Sequence, residues 1–292
     1  MHYVKVKGIL SPSNGMNLYR GCSHGCIYCD SRSKCYQMNH DFEDIEVKEN
    51  ALELLETALR RKRKRCMIGT GAMTDPYIPL EKKLGYTRKA LLLIERYGFG
   101  VALQTKSDLV LRDLDLLKEI NQRNRLTVSW SVNTLDESFK DDMDAAVSIE
   151  RRLVAMKKIY DAGIRTVCFI SPVFPGLTDI EAIIERAKDQ CDLVWLENLN
   201  LRGGFKKTIM DYIADKHSEL LPLYEEIYNK KNRSYFEALE KKAEEIAEKY
   251  GCRFVDNETP YERVAKGHPT IVNYFYHEEV RGTENSGKRN KK

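Results

Sequence analysis

Between Glu49 and Leu201 two hydrophobic periods alternate, and no other feature narrows the fold as far. ENALELLETALRRKRKR, Glu49 to Arg65, spaces its apolar residues along one helical face. CMIGTG, Cys66 to Gly71, is a short apolar run closed by glycines, the pattern of a buried strand. The pair recurs as YTRKALLLIERYG with VALQTK, LRDLDLLKEINQR with LTVSWSVN, SIERRLVAMKKIYDAG with TVCFISPV, and DIEAIIERAKDQ with LVWLENLNL. A first strand at Met16 to Gly21 brings the count to six strands and five helices. Near-continuous apolar strands joined by helices call for a parallel sheet, which takes ligands at the carboxyl ends of its strands. Six units fall short of the eight that close a full barrel. The expected fold is therefore α/β, a partial (β/α)6 barrel of the TIM type over residues 1–201, with an open sheet as the other arrangement.

From about His217 the chain turns to charged helices, SELLPLYEEIYNKK and FEALEKKAEEIAEKYG, and then a short strand candidate, CRFVDN. Residues 202–280 read as a C-terminal, mainly helical extension packed on the barrel, and residues 281–292, which lack apolar content, as a disordered tail. The chain has no apolar run near ~18 residues, the length of a membrane span, and MHYVKVKGIL lacks the apolar stretch of a secretory signal. These features predict a cytoplasmic protein without a membrane partner. The net charge of +4 is too small to imply a nucleic-acid partner. The basic run from Arg60 to Arg65 has the chemistry to contact phosphate. It ends a helix that feeds the second strand, however, so it belongs at the amino end of the barrel, where basic residues oppose the helix dipole.

Four of the eight cysteines fall within GCSHGCIYCDSRSKC, Gly21 to Cys35. In a reducing compartment clustered thiols bind metal more often than they form disulfides. Cys66, Cys168 and Cys191 sit in or beside apolar runs and read as small buried hydrophobes. Cys22, Cys26 and Cys29 instead have the spacing C-x3-C-x2-C directly after the first strand, on a loop at the catalytic face of a barrel. Gly21 and Gly25 allow the sharp turns that let three thiolates converge. Three thiolates suit a 4Fe-4S cluster with one unligated iron, because a fully protein-bound cluster takes four. The alternative is a non-enzymatic zinc- or iron-sulfur-binding protein with Cys35, His24 or His40 as fourth ligand. Paired C-x2-C knuckles are the commoner zinc pattern, and Cys35 reads as a bystander.

With Tyr28 before the last cysteine, the motif C-x3-C-x-aromatic-C resembles the hallmark of radical S-adenosylmethionine (SAM) enzymes. GTGAMTDPYIPLEKKLGYTRKAL (Gly69 to Leu91), LQTKSD (Leu103 to Asp108), SWSVNT (Ser129 to Thr134) and SPVFPGLTD (Ser171 to Asp179) follow in order at successive strand ends. Together they are similar to the spore photoproduct lyase-like group of that superfamily, over most of the chain to about Asp179. The resemblance implies a 4Fe-4S cluster on Cys22, Cys26 and Cys29, with SAM chelated on the open iron. It further implies one-electron cleavage of SAM to methionine and a 5'-deoxyadenosyl radical, hydrogen abstraction from an unidentified substrate, and an electron donor such as flavodoxin or ferredoxin. It assigns Lys106 to the SAM carboxylate, and the backbone around Pro172 and the turn Pro175-Gly176 to the adenine.

Many members carry Gly-Gly-Glu at the end of the second strand to grip the SAM amino group. Here Thr74 and Asp75 occupy that turn; a hydroxyl and a carboxylate accept hydrogen bonds from an ammonium, although Asp-Pro is also a plain turn signal. Ser129, Ser131 and Asn133 share one face of the fourth strand and would offer polar groups to the ribose, leaving Trp130 and Val132 to the helices. Glu197 and Asn198 end the sixth strand as candidate substrate contacts. The lyase itself returns hydrogen through a cysteine at the end of the second strand and a tyrosine just after the cluster motif. Those places hold Ala72, or Met73 with the match shifted by one, and Asp30, so the SAM machinery carries over and the lyase reaction does not. A nucleic-acid-modifying or repair enzyme, with the basic run as docking patch, is the remaining enzymatic alternative.

Overall fold

The computed structural model describes the chain except residues 33–37, 202–204, 259–266 and 277–292. Cys35 and the tail from residue 281 lie outside the described residues. Four short strands come first: β1 (His2–Val4), β2 (Gly15–Met16), β3 (Tyr19–Arg20) and β4 (Glu46–Lys48). The alternating region then supplies α1 (Ala51–Arg61), β5 (Met67–Thr70), α2 (Glu81–Leu84), α3 (Tyr86–Arg96), β6 (Gly100–Thr105), α4 (Leu114–Arg123) and β7 (Leu126–Ser131). It continues with α5 (Glu137–Met143), α6 (Ile149–Asp161), β8 (Arg165–Val173), α7 (Ile180–Ala187) and β9 (Leu193–Asn198). Last come α8 (Phe205–Lys216), α9 (Leu221–Tyr228), α10 (Ser234–Tyr250), β10 (Arg253–Asp256) and β11 (Thr270–Asn273).

The helices form where the apolar spacing places them. Ala51, Leu55 and Leu59 make the buried stripe of α1, and Ile180, Ile183, Ile184 and Ala187 that of α7. Side-chain caps start three helices: Asp136 accepts from Ser138 N, Ser148 from Arg151 N, and Asp179 from Glu181 N and Ala182 N. Each such cap stabilises its helix by about 1 kcal/mol. The stripes bury against Ile68, Val101, Val128 and Val194 of the strands in one core.

The main sheet is parallel throughout, in the order β10-β11-β9-β8-β7-β6-β5-β2. From β5 to β9 spatial order follows chain order, as in a partial TIM-type barrel. Two details differ from the sequence reading. The first strand is split: Met16 pairs with Thr70 of β5, whereas Tyr19 and Arg20 leave to pair with β4 in a side sheet ordered β1-β4-β3. The strand candidate CRFVDN forms β10, but it joins the main sheet through a strand the sequence reading did not include, β11, which pairs with both β10 and β9. At four residues β11 is too short to show a period, yet its residues are buried on both faces.

The extension reaches the cysteine loop from the side. Phe205, Ile209 and Ile213 of α8 and Tyr224 of α9 form a second apolar cluster with Phe139, Phe174 and Tyr28, and Cys26 and Ile27 pack against it.

Gly71 follows β5 with φ +104°, and a Cβ there would stand 2.1 Å from the Gln104 carbonyl oxygen of β6. We expect Gly71→Ala to destabilise the chain by more than about 2 kcal/mol, since both the dihedral and the backbone contact oppose a side chain. Thermal or urea unfolding of the variant checks this; an unchanged midpoint would contradict it.

Candidate active site

The strand ends carrying the motifs open into one cavity of about 610 Å³. Its floor is the cysteine loop, which leaves β3 through Gly21 at φ +82°. A Cβ on Gly21 would lie 2.4 Å from the Phe42 carbonyl oxygen, and that oxygen accepts from Cys22 N at 3.0 Å. The loop then turns back on itself. Cys29 N and the Arg32 side-chain Nε both donate to the Cys26 carbonyl, at 3.4 and 2.8 Å. It is also clasped by the end of α5 and the residues after it: Ile27 N donates to Met143 O at 3.1 Å, and Ala145 N to His24 O at 2.7 Å.

Cys22, Cys26 and Cys29 all line the cavity as free thiols. Burial pushes the Cys22 thiol up to about 12 and that of Cys26 up to about 11, the latter moderated by the Lys106 charge. Without a metal these two are neutral, so iron or zinc must displace their protons on binding. Among the described residues the group whose His, Cys, Asp or Glu ligand atoms all lie within 4.8 Å of one another is His2, His40 and Glu46. A structural zinc takes four ligands, whereas three thiolates suit a four-iron cluster with one iron open.

Asp75 sits where β5 and β6 end. One of its oxygens accepts from Tyr77 N at 2.8 Å and the other from Lys106 N at 2.7 Å, while the Thr105 hydroxyl reaches both at 2.8 and 3.0 Å. His24 of the cysteine loop places Nε2 at 3.1 Å from the same carboxylate. Burial alone would raise this carboxyl, but the His24 charge and these hydrogen bonds hold it below its ordinary value. Lys106, next along β6, turns its ammonium over the Tyr28 ring at 5.3 Å, and among the described residues no acceptor lies in hydrogen-bond range of it. Burial opposes its charge, yet the acidic groups around it, Tyr28, Cys26 and Asp144, raise its proton affinity above the ordinary lysine value. It is a half-buried cation lining the cavity beside the thiols, an arrangement that favours an anionic ligand group.

Of the residues singled out from sequence, Tyr28, Asp75, Lys106, Ser131 and Pro172 share the cavity wall with the three cysteines. Thr74, Ser129 and Asn133 do not. The Thr74 hydroxyl is spent on Tyr19 O at 3.3 Å and that of Ser129 on Leu103 O at 3.0 Å. Asn133, at 1% exposure, accepts the Thr178 hydroxyl on its backbone carbonyl, and its side-chain Nδ2 has no partner among the described residues. Glu197 and Asn198 do reach the wall, where Glu197 accepts from Ser171 Oγ at 2.5 Å. The outer wall comes from α9, α10 and their connection: Ile227, Tyr228, Lys231, Arg233 and Phe236, joined by Tyr276. The basic run lies elsewhere, at the amino end of β5, with Lys62 on the Asn14 side chain and Arg65 over the Phe99 ring.

Sequence reasoning passed over Asp144 and Arg152, which back the cysteine loop. A signal was present, because Arg152 interrupts the buried stripe of α6 formed by Ile149, Leu153, Met156 and Tyr160.

The family model of the radical SAM superfamily matches residues 16–187. An uncharacterized protein of Methanocaldococcus jannaschii is 33% identical over 218 residues, covering 74% of this chain and 79% of its own length. One of Mycobacterium tuberculosis is 29% identical over 250 residues, covering 80% and 74%. Among solved structures, spore photoproduct lyase complexed with dinucleoside spore photoproduct superposes with a TM-score of 0.50 at 15% identity, over 70% of this chain and 63% of the lyase chain. A variant of that lyase with the same ligand gives 0.52 at 16%, over 72% and 64%. At that identity the likeness is one of fold.

Replacing Asp75 with Ala strands the Tyr77 and Lys106 amides and the Thr105 hydroxyl in a buried place. We expect a loss of at least about 3 kcal/mol of stability, measured by denaturant unfolding of the metal-free chain. Full retention of stability would show that the carboxylate does not organise these strand ends.

Proposed function

Since the chain belongs to the radical SAM superfamily, whose members bind a 4Fe-4S cluster and SAM, we propose that it cleaves SAM reductively in this cavity and abstracts hydrogen from a substrate held by the outer wall. The observation that carries this reading is the set of three free thiols lining one cavity with a half-buried ammonium beside them that has no acceptor among the described residues. When bound, the cluster supplies one electron and SAM the 5'-deoxyadenosyl radical.

The protein's own contribution is position and exclusion of water. Cys22, Cys26 and Cys29 would hold three irons, leaving one open for SAM. Lys106 would pair with the SAM carboxylate. Asp75 has its oxygens committed to the backbone and to His24, so its first task is to fix Lys106 and the loop; any contact with the SAM ammonium comes in addition. Ser131 and Pro172 stand where ribose and adenine are to be met, whereas Thr74 and Ser129 act by bracing backbone. A reductant such as flavodoxin or ferredoxin supplies the electron.

The substrate would approach the outer wall, whose aromatic rings and two cations, Lys231 and Arg233, suit a flat or apolar body carrying an anionic group. Ala72, Met73 and Asp30 all reach the cavity, and among the described residues the only thiols on its wall are those of the three cysteines. This supports a reaction that needs no cysteine hydrogen donor. The amino-end location of the basic run gives no support to a nucleic-acid docking patch there.

Anaerobic reconstitution is expected to give a chain holding iron and sulfide, and dithionite reduction to convert SAM to 5'-deoxyadenosine and methionine. Serine at Cys22, Cys26 or Cys29 should abolish both, and Lys106→Met should raise the KM for SAM at least tenfold, the loss of about 1.4 kcal/mol or more of charge-assisted binding. Stoichiometric zinc without sulfide, or a cluster-loaded protein that leaves SAM intact, would overturn the reading. Turnover in an extract of deuterated cells, followed by deuterium in deoxyadenosine, identifies the fraction that contains the substrate.

A further inference from the structure

Behind the cysteine loop lies an ion pair with no solvent exposure at either side chain. Arg152 Nη2 donates to Asp144 Oδ1 at 2.6 Å. The guanidinium is otherwise fixed by backbone, with Nε on Val147 O at 3.0 Å and Nη1 on Ser131 O at 3.2 Å, the latter belonging to a residue of the cavity wall. Asp144 Oδ1 also accepts from Ala146 N at 3.0 Å, and its Oδ2 faces the Tyr28 hydroxyl at 3.5 Å. The residues on either side of Asp144 are the ones that clasp the loop, through Met143 O and Ala145 N.

Such a pair is seldom kept for stability alone, because burying two charges costs about as much as their attraction returns. Its charges do reach the site. Asp144 Oδ2 stands 3.5 Å from the hydroxyl of Tyr28, which lies between Cys26 and Cys29 in the chain, and Arg152 holds the carbonyl of Ser131 on the cavity wall. With neither side chain exposed, little water screens the two charges from an electron placed on the other side of the loop.

We propose that Asp144 and Arg152 are positioning residues that hold the cysteine loop from behind and, as opposed charges, set the reduction potential of the centre bound by Cys22, Cys26 and Cys29. This rests on the cluster reading above. The Asp144 carboxylate disfavours the added electron and the Arg152 guanidinium favours it, so the pair leaves the site's own charge nearly balanced behind Cys26, with the Lys106 ammonium facing the SAM side.

Redox titration of the cluster-loaded protein, followed by electron paramagnetic resonance, tests this with isosteric or near-isosteric changes. Asp144→Asn is expected to raise the midpoint potential and Arg152→Gln to lower it, while the double variant returns close to the parent value. A merely structural role would move both single variants in the same direction or neither, and that outcome overturns the proposal. If the single variants fail to fold, the uncharged double variant decides: a potential displaced from the parent overturns the proposal, and one restored to it supports it. Iron and sulfide content separates this from the underlying reading. A parent chain that takes up neither overturns both, whereas loaded variants with shifts of one sign overturn only the role of the pair.

Discussion

One carboxylate, that of Asp75, makes the site a site. Three separate stretches of chain must meet for the cavity to have its shape: the cysteine loop after β3, the turn after β5 and the end of β6. Asp75 touches all three, through His24, Tyr77 N and the Thr105–Lys106 pair. Parallel strands end with backbone groups that the ladder no longer pairs, and a buried carboxylate with two oxygens is an economical way to satisfy several of them at once. The direction in which Lys106 leaves the sheet follows from that bond to its amide.

The same solution recurs one layer further from the cavity. Glu81, fully buried at the start of α2, accepts from the Tyr19 hydroxyl, from Tyr86 N and Thr87 N at 3.0 Å, and from Arg112 at 2.9 Å. Asp113 receives Tyr77, Arg88 and Arg112. Tyr77 thus links the two sets, donating its amide to Asp75 and its hydroxyl to Asp113. The long connection between β5 and α3 is held by charges in the interior, and the price in desolvation is met by dense hydrogen bonding around each carboxylate. Asp144 with Arg152 is the third instance, on the opposite flank of the cysteine loop.

How far the chain was legible depends on which property a pattern records. Strand-helix alternation reports burial, so β5 to β9 and their helices were readable, and cysteine spacing reports a shared ligand, so the floor of the cavity was readable too. Strands β1, β4 and β11, and the side sheet that β3 joins, were missed because runs of two to four residues carry no period. Alternation on β7 placed Ser129 and Ser131 on one face, but a face does not name a partner. Ser129 bonds the neighbouring strand's Leu103 carbonyl while Ser131 opens to the cavity. Thr74 gave a plausible SAM ligand in sequence and a backbone brace in space, since hydroxyls bond whatever carbonyl is nearest. Arg152 was the most readable of the omissions, a charge inside an apolar stripe that demanded a buried acid.

The match to the superfamily ends at residue 187, yet the sheet and the cavity continue past it. Everything expected to touch cluster and SAM, from Cys22 to Pro172, lies inside the matched region, and the wall from Glu197 to Leu201, the turn around Lys231 and Tyr276 lies outside it. That turn is constrained: Lys231 has φ +58°, an unfavourable backbone for a residue with a Cβ, held by Lys230 N on Glu225 O and Asn232 N on Glu226 O at 3.1 and 3.0 Å. Holding a lysine in a strained turn at the rim of a cavity costs stability that a lysine with an ordinary backbone would not. On the proposed reading a radical generated at the floor would have no selectivity of its own, and what it reacts with would be decided by what this second half of the chain presents to it. The two halves are coupled physically, because α8 and α9 bury their apolar faces against Tyr28 and the cysteine loop itself. Packing of this C-terminal part is thereby part of what holds the cysteine loop in place.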